Sequence, residues 1–157
     1  MAKRKVLLTG ASGYIASLML PTMRDYFDLT LADVSDKNRD GNKVEGVQIA
    51  DFIDPDRSKY AHLFEGIDAV IHLAFKPHTP RGARFENEPI DRFDNEHENI
   101  QMANNIYRSA YDGGLRRLAI ASSNHAADWY EHSLIHDRKM DMVRPTDFPV
   151  SDNFYGW

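Results

Sequence analysis

The sequence contains no cysteine among its 157 residues. That excludes a disulfide framework, a thiolate metal site and a cysteine nucleophile, and it fits a reducing compartment. Long hydrophobic runs are also missing. Nothing approaches the roughly 20 apolar residues that span a bilayer, and Val6-Leu7-Leu8 is far too short for a signal-peptide core. Positive charge is not in excess: 19 Lys+Arg against 24 Asp+Glu leave a formal net charge of −5. Lys3-Arg4-Lys5 is only a short cluster, so a cationic nucleic-acid-binding surface is not expected. The expectation is a cytoplasmic protein with neither nucleic acid nor membrane as partner. What is present is ordinary for a globular domain, 42% hydrophobic and 27% charged residues, enough to build a core without staples.

Apolar runs and helical periodicities alternate along the chain. Val6-Leu7-Leu8-Thr9 is a buried-strand pattern that stops at Gly10. Residues 14–26 carry Ile15, Leu18, Met19 and Met23 at helical spacing, with Pro21 expected to kink the helix. Residues 29–33 and 44–50 are the second and third predicted strands. Asp54-Pro55-Asp56 starts a short predicted helix that runs to Phe64. Residues 69–74 are a fourth strand, 76–89 a long loop, 91–111 a long helix closed by Gly113-Gly114, and 118–122 a fifth strand. Beyond Asn124 the pattern is polar and irregular. Strands alternating with helices imply right-handed crossovers and a parallel sheet. The predicted fold is α/β, a doubly wound parallel sheet for nucleotide binding with strand order 3-2-1-4-5.

Thr9-Gly10-Ala11-Ser12-Gly13-Tyr14-Ile15-Ala16 lies between the first strand and the first helix. Gly10 permits a tight turn, and Gly13 leaves no side chain against an approaching pyrophosphate. The helix beginning at Tyr14 and Ile15 points its N–H groups and positive dipole end at the phosphates. Gly10, Ser12, Gly13, Tyr14 and Ile15 are therefore candidate cofactor residues. Asp33 stands about twenty residues past the glycines, at the end of the second strand. A carboxylate there accepts both hydrogen bonds of an adenosine ribose diol and repels a 2′-phosphate, which favours NAD over NADP. Lys37 and Arg39 nearby could soften that exclusion. Asp51 and Phe52, at the end of the third strand, are candidates for the adenine edge, although a loop or capping acid fits Asp51 nearly as well.

The glycine loop, Asp33, Asp51, His72-Leu73-Ala74, Asn99, Ser122-Ser123 and Tyr155-Gly156, in this order, resemble the extended short-chain dehydrogenase/reductase family. These are the NAD-dependent epimerase/dehydratases, with a Rossmann-like nucleotide domain. Ala121-Ser122-Ser123-Asn124-His125 is more specifically similar to the uronate dehydrogenases of that family. The resemblance implies an NAD-dependent oxidoreductase of a sugar or sugar acid, moving hydride from a substrate carbinol such as a uronate anomeric carbon to NAD. A sugar-nucleotide epimerase or dehydratase and a non-catalytic NAD-binding module are the alternatives. Carried over by position, Tyr155 corresponds to the base of the Y-x-x-x-K motif and Ser123 to the serine that hydrogen-bonds the reacting oxygen. Leu73, Ala74 and Phe75 correspond to the nicotinamide-ribose wall, Asn99 to a helix residue bracing the active-site backbone, and Phe75, Asn124 and His125 to substrate contacts. Tyr155 also counts as a cofactor contact.

A free tyrosine titrates near pH 10, too high for an efficient base. The family lowers it with the motif lysine and the nicotinamide charge. That lysine would fall beyond Trp157. The resemblance therefore implies that residues 1–157 form one incomplete NAD-binding domain, truncated before the tyrosine helix and lacking a C-terminal substrate lobe. It also implies a homodimer through the helix at 91–111. The remaining candidates have plainer readings. His72, inside an apolar strand, is a satisfied core residue. His132 and His136 are four apart but lie in a polar segment, and no metal site is expected. Met19, Met23, Tyr26 and Phe27 are expected in the core.

Overall fold

Uninterrupted apolar residues become the central strand because both of its faces must be covered. The computed structural model of the chain describes residues 2–77, 89–151 and 156. In it β1 (Arg4–Thr9) buries every residue from Val6 onward. Neighbouring side chains point to opposite faces. Leu7 packs with Phe52, Tyr60, Phe64, Val70 and Ile106, while Leu8 packs with Ala16, Leu20, Met23 and Leu31. β2 (Phe27–Asp33), β3 (Val47–Ile49), β4 (Ala69–His72) and β5 (Leu118–Ile120) complete a five-stranded parallel sheet of order β3-β2-β1-β4-β5, as predicted. The register pairs Leu8 with Leu31 on one side and Ile71 on the other. Strand order reverses between β1 and β4, the position where doubly wound sheets open a crevice.

α1 (Tyr14–Tyr26) turns Ala16, Leu20 and Met23 to the sheet.

 The side chain at Ala16 is small enough to let the helix lie close to the glycine loop. This face differs from the predicted one: Ile15, Leu18 and Met19 are exposed to varying degrees, and Tyr26 is 68% exposed, because the helix is rotated to bury the Ala16 side. Met23 is in the core as expected. β3 is shorter than the predicted strand. Residues 36–44 instead double back, with Val44 N–H donating to Asp36 O at 2.7 Å and Gly41 at a φ of 82°.

The single helix predicted up to Phe64 is two 3-10 turns, Arg57–Lys59 and Ala61–Phe64. Asp56 caps the first through Ser58 N–H. The break falls at Tyr60, whose φ of −130° swings its ring edge-on to Phe52 at 5.0 Å. α2 (Pro89–Asp112) begins with proline at its first position, where the missing N–H costs nothing. It ends at Gly113-Gly114, with Gly114 at a φ of 71°.

The chain divides into two compact units. One contains Met1–Lys76 and Gln101–Ala121, and the other Pro77–Ile100 and Ser122–Trp157. The first holds the sheet and both apolar clusters. In the second, the stretch expected to be irregular is helical. It runs through a 3-10 turn (Asn124–Ala127), α3 (Asp128–Tyr130) and a π turn (Glu131–Ile135). Most of the predicted loop at 76–89 lies outside the described residues.

Candidate functional site

The loop after β1 is shaped by two glycines. Gly10 has a φ of 73°, and a Cβ there would sit 2.5 Å from Ala74 N. Both facts require glycine. Gly13 N–H donates to Gly10 O at 3.0 Å, and a Cβ on Gly13 would meet the same oxygen at 3.0 Å. α1 then starts with no side-chain cap and no acid in its first turn. Its N-terminal N–H groups and positive dipole end are thus left for an anion.

Asp33 ties this loop to β2. Its Oδ2 accepts from Ser12 N–H at 3.0 Å and its Oδ1 from Ser35 N–H at 3.4 Å. Ser12 Oγ donates to Ser35 O at 2.6 Å, so its hydroxyl serves the loop. A carboxylate offers about four lone-pair positions, and two of them remain for a ligand. The other wall follows β4. Leu73 N–H donates to Thr9 O at 3.1 Å, bringing Leu73 and Ala74 against Gly10. Just before it, His72 is buried, with Nδ1 2.6 Å from Thr9 Oγ1, the satisfied core histidine expected. Burial disfavours its cation and lowers its pKa to about 4.

These elements enclose a groove of about 530 Å³, within the usual range of small-molecule sites. Gly10, Ser12, Gly13, Tyr14, Ile15, Asp33, Asp51, Phe52, Leu73, Ala74 and Phe75 all line it. Every cofactor candidate in the first unit is therefore in one place. Lys37 also lines the groove, while Arg39 stacks over the Tyr14 ring at 5.9 Å. Asp51 Oδ1 accepts from Ile53 N–H at 2.9 Å, so this acid shapes its own loop as well as facing the groove.

The other candidates belong to the second unit. Asn99 is buried at 2% exposure. Ser123 caps the turn that follows it, its Oγ accepting from His125 N–H at 3.2 Å. Asn124 and His125 are the first residues of that turn. Tyr155 lies outside the described residues, but Gly156 packs tightly, since a Cβ there would be 2.6 Å from the His125 carbonyl carbon and 2.6 Å from Ser151 Oγ. His132 and His136 pair with Asp128 and Glu131. Among the described residues, no group of three or more His, Cys, Asp or Glu could hold a metal ion.

Sequence reasoning missed Val34, Ala50, Ile53 and Met102, which also line the groove, and Asn105, which donates to the loop after β3. Val34 and Ala50 adjoin strand-end acids and Ile53 follows Phe52, so all three could have been found by extending each candidate by one residue. Met102 and Asn105 required knowing which face of α2 turns inward.

Residues 6–149 match the NAD dependent epimerase/dehydratase family. The NAD-dependent glucose-6-phosphate dehydrogenase of Haloferax volcanii is 34% identical over 165 residues, covering 96% of this chain and 57% of that protein. The uronate dehydrogenase of Pseudomonas syringae pv. tomato is 30% identical over 130 residues, covering 82% and 43%. The crystal structure of uronate dehydrogenase from Agrobacterium tumefaciens superposes with a TM-score of 0.67 at 25% identity, covering 99% of this chain and 52% of that one. The chain thus spans about half the length of these relatives. No helix among the described residues is long and apolar enough to cross a membrane. With the glycine loop, the strand-end acid and the sheet order in agreement with a match over most of its length, the chain belongs to the NAD dependent epimerase/dehydratase family.

Proposed function

We propose that the groove binds NAD and that the protein is a cytoplasmic NAD-dependent oxidoreductase of a sugar or sugar acid, with a uronate as the favoured substrate. The observation that carries this reading is the meeting of three features in one groove: the glycine loop, the uncapped start of α1 and the Asp33 carboxylate. They fit a dinucleotide. Gly10 and Gly13 are bare where a Cβ would crowd the main chain, no acid in the first turn repels a pyrophosphate, and Asp33 keeps acceptor positions for a ribose diol.

When bound, NAD supplies the hydride acceptor. In this reading Ser123 holds the reacting oxygen. Its Oγ already accepts from His125 N–H, which orients the hydroxyl so that its own hydrogen serves the substrate. Tyr155 takes the carbinol proton. Gly156 seats tightly on His125 and Ala126, which lie close to Ser123 in sequence. By resemblance, Phe75, Asn124 and His125 are the substrate contacts of this reading and Asn99 its backbone brace. Association of two copies through α2 belongs to the same reading, and Tyr107 and Tyr111 are exposed on that helix.

The test is a titration with NAD followed by absorbance at 340 nm with a hexuronate or glucose 6-phosphate. Saturable NAD binding and net NADH formation on a hexuronate are expected. An absence of NAD binding at millimolar concentration would sink the reading. Binding without net NADH on any sugar would shift it to an epimerase or a non-catalytic NAD-binding module.

A further inference from the structure

We propose that Asn105 is a positioning residue for base recognition, holding the main chain at 52–54 so that Asp51 presents its carboxylate to a 6-amino purine. This rests on the reading that NAD occupies the groove.

Asn105 lies on α2 one turn beyond Met102, a residue of the groove wall. It is 5% exposed, and its Nδ2 is 2.9 Å from Phe52 O, 3.3 Å from Asp54 O and 3.5 Å from Ile53 O. All three partners are acceptors, so the amide must present its NH2 to them. Tyr60 O–H donates to Asp54 O at 2.9 Å, a second tether on the same segment. Within it, Asp51 Oδ1 takes the Ile53 N–H. The carbonyls of 52–54 are thereby occupied by buried donors, while Asp51 lines the groove. A carboxylate accepts from the amino group at C6 of adenine and repels the oxo group at C6 of hypoxanthine. An edge held rigidly discriminates between them, whereas a loose edge can turn away.

The dissociation constants of NAD and nicotinamide hypoxanthine dinucleotide are measured on the whole chain, for the unmodified protein, Asn105→Ala and Ser109→Ala. Ser109 is buried on the same helix but is not part of the groove wall. The unmodified protein should prefer NAD by about fivefold or more, Asn105→Ala by less than about twofold, and Ser109→Ala should keep the original preference. Equal weakening of both dinucleotides in Asn105→Ala would reduce Asn105 to a structural role and overturn the proposal, as would an unmodified protein with no preference. If Asn105→Ala does not fold, the same ratio is read on Asn105→Ser, which keeps one donor on a shorter side chain. An unchanged preference there also overturns it. A protein that binds neither dinucleotide overturns the NAD reading itself.

Discussion

Every buried apolar residue among the described ones, from Val6 to Ala110, falls in the unit that carries the sheet, whereas the buried residues of the other unit are Glu96, Asn99 and Asp128, all polar. The first unit is ordered by burial of apolar surface on both faces of β1. In the second, the described long-range ties include hydrogen bonds, Tyr130 O–H to Phe148 O at 2.9 Å and Trp129 N–H to Val150 O at 3.4 Å, and the packing of Gly156 on the main chain at His125. Apolar burial stabilises without regard to geometry, while a net hydrogen bond contributes only about 1 kcal/mol. The nucleotide groove therefore rests on a scaffold able to hold its shape, and the substrate candidates rest on one that depends on polar pairing. Truncation should separate the two. Leu7→Ala, at a fully buried position, should cost roughly 2–5 kcal/mol. Trp129→Ala, at 46% exposure, should cost no more than about 1 kcal/mol. Thermal unfolding followed by circular dichroism checks both, and comparable losses would break the contrast.

Gly10→Ala attacks the scaffold where it becomes a site. The new Cβ would meet Ala74 N at 2.5 Å on a backbone with φ of 73°, so β1 and the segment after β4 must part. NAD affinity should fall more than about 100-fold, equivalent to ~2.7 kcal/mol. Isothermal titration on protein verified as folded measures this directly. Retention of affinity would show that the groove accommodates a displaced wall.

His72 tests the first unit by acid. Its folded pKa is about 4, below the ordinary value of 6.5, because burial disfavours the cation. Between those values the unfolded chain binds a proton that the native chain does not. The contribution is fully present above pH 6.5 and is lost as pH falls toward about 4. The full loss is on the order of 3 kcal/mol, at ~1.4 kcal/mol per unit. Urea unfolding from pH 4.5 to 7.5 should show a steeper acid loss than in His72→Gln. Parallel curves for the two proteins would mean that His72 titrates alike in the folded and unfolded chains, so that burial does not disfavour its cation.

The sheet was legible because its strands are apolar runs bounded by glycines and acids, and those signals are local. Gly10, Gly13 and Asp33 were legible for the same reason: each sits where a strand ends and a loop begins. The rotation of α1 was not legible, because Ile15, Leu18 and Met19 are more hydrophobic than Ala16, and only the close approach of helix and sheet makes alanine the inward residue. The break at Tyr60 depends on the distant ring of Phe52. Asn105 is another case of tertiary context, since a polar residue on a helix acquires its role from carbonyls some fifty positions away. The helical turns after Asn124 were hidden by their shortness, since runs of three to five residues hardly complete one helical period.

The smallest expected effect lies at the rim of the groove, where the first unit exposes chemistry instead of core. Asp33→Asn keeps the shape of the side chain and one acceptor oxygen, so the tie to Ser12 N–H can survive while the charge disappears. NAD affinity should fall about fivefold and NADP affinity should rise, changing their ratio by about tenfold or more, ~1.4 kcal/mol. Lys37, also on the groove wall, favours that gain because a 2′-phosphate would no longer face a carboxylate. Titrations of both dinucleotides at one ionic strength check the ratio, since screening alters phosphate binding. The two halves of the result carry separate information. A loss for NAD without a gain for NADP would make Asp33 an acceptor for the ribose diol but not a barrier to phosphate. A gain for NADP without a loss for NAD would make it a charge filter, with its hydrogen-bonding capacity spent on Ser12 and Ser35.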